Sequence, residues 1–102
     1  MTKFTVRITD FAMYDLHGIA AYHKTMIGSA SARRITDKIT KAISSLEEFP
    51  MMGMVHIDPV LARSNYRRII AGDYVIIYKI IGHEVVVYRI VHGSMDYTKW
   101  FK

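Results

Sequence analysis

Tyr66-Arg67-Arg68-Ile69-Ile70-Ala71-Gly72-Asp73-Tyr74-Val75-Ile76-Ile77-Tyr78-Lys79-Ile80-Ile81-Gly82-His83-Glu84-Val85-Val86-Val87-Tyr88-Arg89-Ile90-Val91-His92-Gly93 is the stretch that decides the fold. Its β-branched and aromatic residues fall into three runs broken only by Gly72-Asp73 and Gly82-His83. Two-residue connections of this kind join antiparallel strands, so the stretch predicts a three-stranded meander. A turn at Gly72-Asp73 sets Ala71 against Tyr74, Ile69 against Ile76 and Arg67 against Tyr78. A turn at Gly82-His83 sets Ile80 against Val85, Tyr78 against Val87 and Ile76 against Arg89.

Side chains alternate across a strand, so this register sorts the stretch into two faces. One collects Ile69, Tyr74, Ile76, Tyr78, Ile80, Val85, Val87 and Val91, and is expected to meet helices, with Arg67 and Arg89 snorkelling outward. The other collects Tyr66, Arg68, Ile70, Val75, Ile77, Lys79, Val86, Tyr88, Ile90 and His92. This second face mixes cations and tyrosines over an aliphatic floor. An uncovered sheet rarely keeps so much aliphatic surface, so a partner is expected there.

Working outward, Thr5-Val6-Arg7-Ile8 alternates polar and apolar and predicts a short first strand. Asp10 is placed as the N-cap of a helix over about 11–26, whose apolar positions Phe11, Tyr14, Gly18, Ala21 and Tyr22 recur at helical spacing. Ile27-Gly28-Ser29 breaks it. A second helix over about 30–49 carries Ala32, Ile35, Ile39, Ala42, Ile43 and Leu46 on one stripe and Arg33, Asp37 and Lys41 on the other, until Pro50 stops it. Residues 51–65 read as an irregular link, with Met51, Met52 and Met54 as adaptable core filler rather than a partner surface. Two helices of this kind form a hairpin with one apolar side to cover a sheet. The fold class is therefore α+β: an N-terminal strand and an antiparallel helical hairpin packed on a twisted antiparallel sheet, β-α-α-β-β-β, with a short C-terminal tail.

Composition sets the outer limits. With 102 residues the chain is expected to be one domain, residues 1–102. It has no cysteine, which removes disulfides, thiolate metal sites and a cysteine nucleophile, and no metal or cofactor is expected. Met1-Thr2-Lys3-Phe4 does not open a signal peptide and no apolar run is long enough to span a bilayer, so the expected location is the cytoplasm, without a membrane partner. The net charge of +5 is spread along the chain: residues 1–50 hold seven Lys/Arg against five Asp/Glu, and residues 51–102 seven against four. Such a surface favours nucleic acid or an acidic protein, and equally serves solubility alone.

Three segments resemble one family in the order and at the spacing that it requires. Leu46-Glu47-Glu48-Phe49-Pro50-Met51-Met52-Gly53 resembles an L-x-x-F-P-x-x-G helix closure. Arg68 followed by Gly72-Asp73-Tyr74-Val75-Ile76-Ile77-Tyr78 resembles R…G-x-Y-R-I-x-Y. Val87-Tyr88-Arg89-Ile90-Val91-His92-Gly93-Ser94-Met95-Asp96 resembles V-x-R-V-x-H-G-R-R-D. Together they resemble the RelE/ParE superfamily of bacterial toxins, over nearly the whole chain. The resemblance implies a growth-arresting toxin of a type II toxin–antitoxin, plasmid-stabilising module, silenced by a cognate antitoxin encoded beside it. It implies one of two targets: DNA gyrase, inhibited without chemistry by ParE-like members, or messenger RNA in the ribosome, cleaved by RelE-like members. A third reading is an inactive module that only binds its antitoxin.

Metal-free RNA cleavage needs a base for the 2′-hydroxyl, an acid for the leaving oxygen and cations on the phosphorane. The candidates are Arg68, His92 and Lys79, with Tyr97 as an aromatic acid/base. Each also has a structural reading: His92 as a structural histidine, Lys79 as a solvated strand lysine, and Tyr97, Trp100 and Phe101 as tail aromatics packed on the sheet. Arg33-Arg34 reads as a solvated face. The family's arginine after Tyr74 is Val75 here, and its basic pair after Gly93 is Ser94-Met95. These losses favour the ParE-like branch. The residues expected to meet antitoxin or target are Tyr66, Arg68, Val75, Ile77, Tyr88, Ile90, Trp100 and Phe101.

Overall fold

A computed structural model describes residues 3–101. Met1, Thr2 and Lys102, which the sequence assigns to the same domain, lie outside the described residues. The chain runs β1 (Thr5–Ile8), α1 (Asp10–Met26), α2 (Ser29–Ser45), β2 (Met54–Val55), α3 (Pro59–Arg63), β3 (Arg67–Ala71), β4 (Tyr74–Ile81) and β5 (Glu84–His92), then a 3₁₀ turn at Thr98–Phe101. One five-stranded sheet has the order β1-β5-β4-β3-β2. β1 lies parallel to β5, and the other pairs are antiparallel. The link over 51–65 is thus more ordered than its composition suggests: it supplies an edge strand and a one-turn helix started by the Asp58 carboxylate, which accepts from the Val60 and Leu61 N–H groups.

Both hairpin turns form as the glycines require. Gly72 and Gly82 have φ of 62° and 59°, the left-handed region that a two-residue hairpin imposes on its first central residue. The β3–β4 register matches the expected one at every pair. The β4–β5 register holds through Ile80↔Val85 and Tyr78↔Val87 and then slips, because Tyr88 is an extra residue between Val87 and Arg89. A bulge of this kind shifts every later residue by one, and hence to the opposite face. Ile76 therefore pairs with Ile90 rather than Arg89. Ile90 enters the helix-side core and Val91 goes to the other face, the reverse of the expectation for both.

The main core lies between the sheet and the hairpin. α2 contributes Ile39, Ile43 and Leu46, the stripe read from its sequence. α1 does not contribute the stripe that was expected. Its sheet-facing residues are Ala12, Leu16 and Ile19, whereas Phe11, Tyr14 and Tyr22 point to solvent at 72%, 81% and 58% exposure. The N-cap is Thr9 rather than Asp10; its hydroxyl accepts from the Ala12 N–H and donates to the Tyr88 carbonyl, which ties the start of α1 to β5.

A second tie is stronger. Arg89 Nε and Nη2 donate to the two Asp15 carboxylate oxygens at 2.7 and 2.9 Å, and the Ile90 N–H donates to Asp15 Oδ2 at 2.9 Å. Arg89 therefore does not snorkel; it is clamped to α1 and partly buried. Asp15→Ala would strand both the guanidinium and a backbone donor. It should cost about 3 kcal/mol, readable as a lowered urea midpoint at unchanged slope.

The residues 49–53 closure is held from the sheet. Tyr78, with no exposed surface, donates its hydroxyl proton to the Pro50 carbonyl at 2.7 Å and accepts from the Gly53 N–H at 2.9 Å. Arg67 Nη1 donates to the Gly53 carbonyl at 3.0 Å. The chain leaving α2 is thus pinned to the middle of β4.

Candidate functional site

The structure sorts the sequence-predicted site residues into three groups. Arg68 and Lys79 share the face turned away from the helices, since Arg68 pairs with Ile77 and Lys79 lies two residues further along β4. Neither is in an ion pair among the described residues. Lys79 Nζ stands 4.2 Å over the Tyr66 ring, and Tyr66 in turn meets Tyr88 and Phe101 edge-on at 5.5 and 4.8 Å. Val75 and Ile77 are on this face as expected, but they are buried, in a small second core closed by Tyr97, Tyr66 and Phe101. The Val75–Ile77 part of the aliphatic floor is therefore already covered by the chain's own tail, while Ile70 stays exposed.

His92 is not with Arg68 and Lys79. The bulge at Tyr88 turns it to the helix side, where its ring packs edge-on against Tyr74 at 5.4 Å. Its Nδ1 accepts from the Ser94 N–H at 3.1 Å and from the Ser94 hydroxyl at 2.7 Å. A neutral imidazole has one lone pair, and here Ser94 occupies it. Ile90, expected to meet a partner, is buried beneath α1.

One histidine that the sequence reading passed over sits on the Arg68 face. His56, 4% exposed, follows β2 and reaches Tyr97 with Nε2 at 2.8 Å from the hydroxyl. Its Nδ1 accepts from the Asp58 N–H at 3.0 Å, so Nε2 carries the proton and donates to Tyr97. Burial pulls the His56 pKa below its ordinary value, and the Arg68 charge adds to the shift, against an opposing pull from Asp58. Burial likewise raises the Tyr97 pKa, with Arg68 and Asp58 acting in opposite directions. Tyr97 itself is 7% exposed. A buried neutral His–Tyr pair beside an arginine has the right chemical types for acid–base work, but in this closed arrangement the His56 acceptor nitrogen is engaged and both groups are buried.

The open chemistry lies elsewhere. Between α1 and the end of β5 runs a groove of about 610 Å³, walled by Tyr14, Tyr22, Ile27, Met95 and Trp100, with His92 at its rim. Its residues include the outward stripe of α1, and Gly18 at the centre of that stripe has nothing within 4 Å of a would-be Cβ. The stripe thus presents aromatic rings flanking a notch into which another helix could sink. Trp100, a residue expected to meet a partner, lies 4.3 Å over the Arg89 guanidinium and remains 46% exposed. The methionines Met51, Met52 and Met54 also reverse their expected role: at 70%, 51% and 71% exposure they are surface, not core filler. They are exposed because Tyr78 fixes the loop by its backbone and leaves its side chains outside. Among the described residues, no helix is long and apolar enough to cross a membrane.

Comparison with known proteins agrees with this architecture. A family model described as the ParE toxin of the type II toxin–antitoxin system parDE matches residues 6–97. Among solved structures, the chain is similar to one from the chromosomal ParDE toxin–antitoxin system of P. aeruginosa, with 18% identity and a TM-score of 0.74 over 88% of this chain and 96% of that one. It is also similar to a chain of the toxin–antitoxin complex RelBE2 from Mycobacterium tuberculosis, with 24% identity and a TM-score of 0.66 over 88% and 98% of the two chains. At those identities the likeness speaks to the fold. No curated protein matches.

Proposed function

Since the chain belongs to the ParE toxin family of type II toxin–antitoxin systems, we propose that it arrests growth by binding and inhibiting DNA gyrase, and that a cognate antitoxin keeps it silent. The observation that carries this reading is the condition of its would-be catalytic groups. His92 Nδ1 is engaged by Ser94 and that of buried His56 by the Asp58 N–H, and the two histidines lie on opposite sides of the sheet, so neither stands ready beside Lys79 as a base for a 2′-hydroxyl. Arg68 lies beside His56, whose acceptor nitrogen is already engaged, and Lys79 stands over the Tyr66 ring. Val75 and Ser94-Met95 stand where cleaving relatives are expected to be basic. These features support binding, rather than cutting, as the mode of action.

The antitoxin is assigned to the α1 groove. A monomer seldom leaves Phe11, Tyr14, Tyr22, Ile27 and Trp100 together in water, and the helical spacing of Phe11, Tyr14 and Tyr22 suits an amphipathic helix laid across α1. Its predicted place therefore moves from the Val75–Ile77 floor, which the tail covers, to this ridge.

Adding the purified chain to a gyrase supercoiling reaction tests the reading. Supercoiling should fall with toxin concentration, while messenger RNA on translating ribosomes stays whole. Cleavage of that RNA with undisturbed supercoiling would reverse the assignment to the endonuclease alternative. Failure of both would leave the inactive binding module.

A further inference from the structure

The segment after β5 is attached in an unusual way. Gly93 donates to the Asp73 carbonyl at 2.8 Å, and beyond it the backbone makes only local bonds: Met95 N–H to His92 O, Tyr97 N–H to Met95 O and Trp100 N–H to Tyr97 O. Ser94 and Met95 bond only to His92, the last residue of β5, and among the described residues no backbone hydrogen bond joins 96–101 to a strand. Beyond Met95, side chains hold it there. Tyr97 bonds His56, Trp100 covers the Arg89 guanidinium, and Phe101 meets the Tyr66 ring. Beneath it lie Val75, Ile77 and Val91, the small second core whose lid is Tyr97.

We propose that residues 94–101 are a hinged strap, with Gly93 as its pivot and the His56–Tyr97 hydrogen bond as its latch, so that the sheet face bearing Arg68 and Lys79 has a closed and an open state. Swinging the strap breaks no strand pairing, because no strand pairing involves it. It exposes an aliphatic floor flanked by two cations that have no ion-pair partner among the described residues.

The latch is sensitive to protons by its geometry. His56 uses Nδ1 as an acceptor; a second proton there would face the Asp58 N–H, two donors against each other. The charged groups that face the ring are Arg68 from β3 and Asp58 from the start of α3, with the Tyr97 hydroxyl from the strap and the Tyr66 carbonyl beside its backbone, which accepts from the His56 N–H. Arg68 opposes a positive imidazole and Asp58 favours one; burial decides for the neutral form. In the closed state the pKa is below the ordinary 6.5 and in the open state it returns towards it, so the open state binds the extra proton. Closure is complete above that ordinary value and is lost as pH falls through and below it.

Trp100 is the chain's single tryptophan and sits on the strap, so its fluorescence reports the latch. An acid titration of the full chain, with far-UV circular dichroism recorded in parallel, should show a Trp100 emission shift centred below histidine's ordinary value near 6.5 while the backbone signal holds. Tyr97→Phe, which keeps the ring and removes the bond, should show the shifted emission already at alkaline pH. His56→Gln, which cannot take the proton, should lose the transition. A Trp100 signal that stays constant until the backbone unfolds would overturn the proposal, as would a transition unchanged in His56→Gln. If His56→Gln does not fold, Tyr97→Phe decides alone: emission like the parent chain at alkaline pH sinks the latch.

Discussion

Gly53→Ala should bring the chain close to unfolding at growth temperature, the largest stability effect expected of any single methyl group in this molecule. A Cβ there would stand 2.5 Å from the Tyr78 hydroxyl, 2.6 Å from the Arg68 carbonyl oxygen and 2.6 Å from Ile69 Cγ2. None of the three can yield cheaply. Tyr78 is fully buried, Arg68 O is sheet backbone, and Ile69 is core. Relief requires the 49–53 loop to lift, which breaks the Gly53–Tyr78 and Arg67–Gly53 hydrogen bonds and leaves the Tyr78 hydroxyl without its donor. Strain and lost bonds together come to roughly 3–5 kcal/mol. Domains of this size have about 5–15 kcal/mol in all, so the melting temperature should fall by roughly 15–30 °C. Gly18→Ala is the matched control: the site is open and helical, so the same methyl group should stabilise by about 1 kcal/mol. A Gly53→Ala protein that melts within a few degrees of its parent would show that the clamp is not what closes the hairpin.

Tyr14→Glu with Tyr22→Glu should release the toxin from its antitoxin. Both rings stand on the outward stripe of α1 and line the groove assigned to the antitoxin helix. Buried aromatic anchors at interfaces contribute about 2 kcal/mol or more each, and placing a carboxylate against an apolar partner adds a desolvation cost. The pair should weaken binding by about a thousandfold. Folding should be almost unaffected, within about 0.5 kcal/mol, because neither ring contributes to the core. Co-expression with a candidate antitoxin gives the readout: the parent chain co-purifies and is harmless, and the double variant does neither. Co-purification at unchanged yield would move the antitoxin off the α1 groove.

What could be read from the sequence followed the range of the forces involved. The hairpins were legible because Gly72 and Gly82 punctuate otherwise continuous β-formers, and the register counts outward from them. Counting failed at Tyr88, where a bulge occurs with no glycine to mark it, and one unpaired residue moved Ile90 and His92 across the sheet. α2 was legible because its apolar stripe faces a charged one. α1 has two stripes at helical spacing, and the more aromatic one lies outside; hydrophobicity cannot tell a core face from a face kept for a partner. The F-P-x-x-G closure was visible as a pattern, but its cause is Tyr78, 25 residues beyond Gly53. His56 had no local signal at all. Its role arises only when Tyr97, 41 residues on, folds back over the sheet.

The ParE-type reading makes its sharpest commitment about chemistry. Inducing the chain without antitoxin, beside a variant carrying Arg68→Ala, Lys79→Ala and His92→Ala, puts that commitment to a single measurement of growth with total messenger RNA sequenced in parallel. Both proteins should arrest growth with messages intact and the DNA-damage response raised, since binding gyrase asks nothing of a proton-transfer centre. Messages cut at codon positions by the parent chain and spared by the variant would contradict the account.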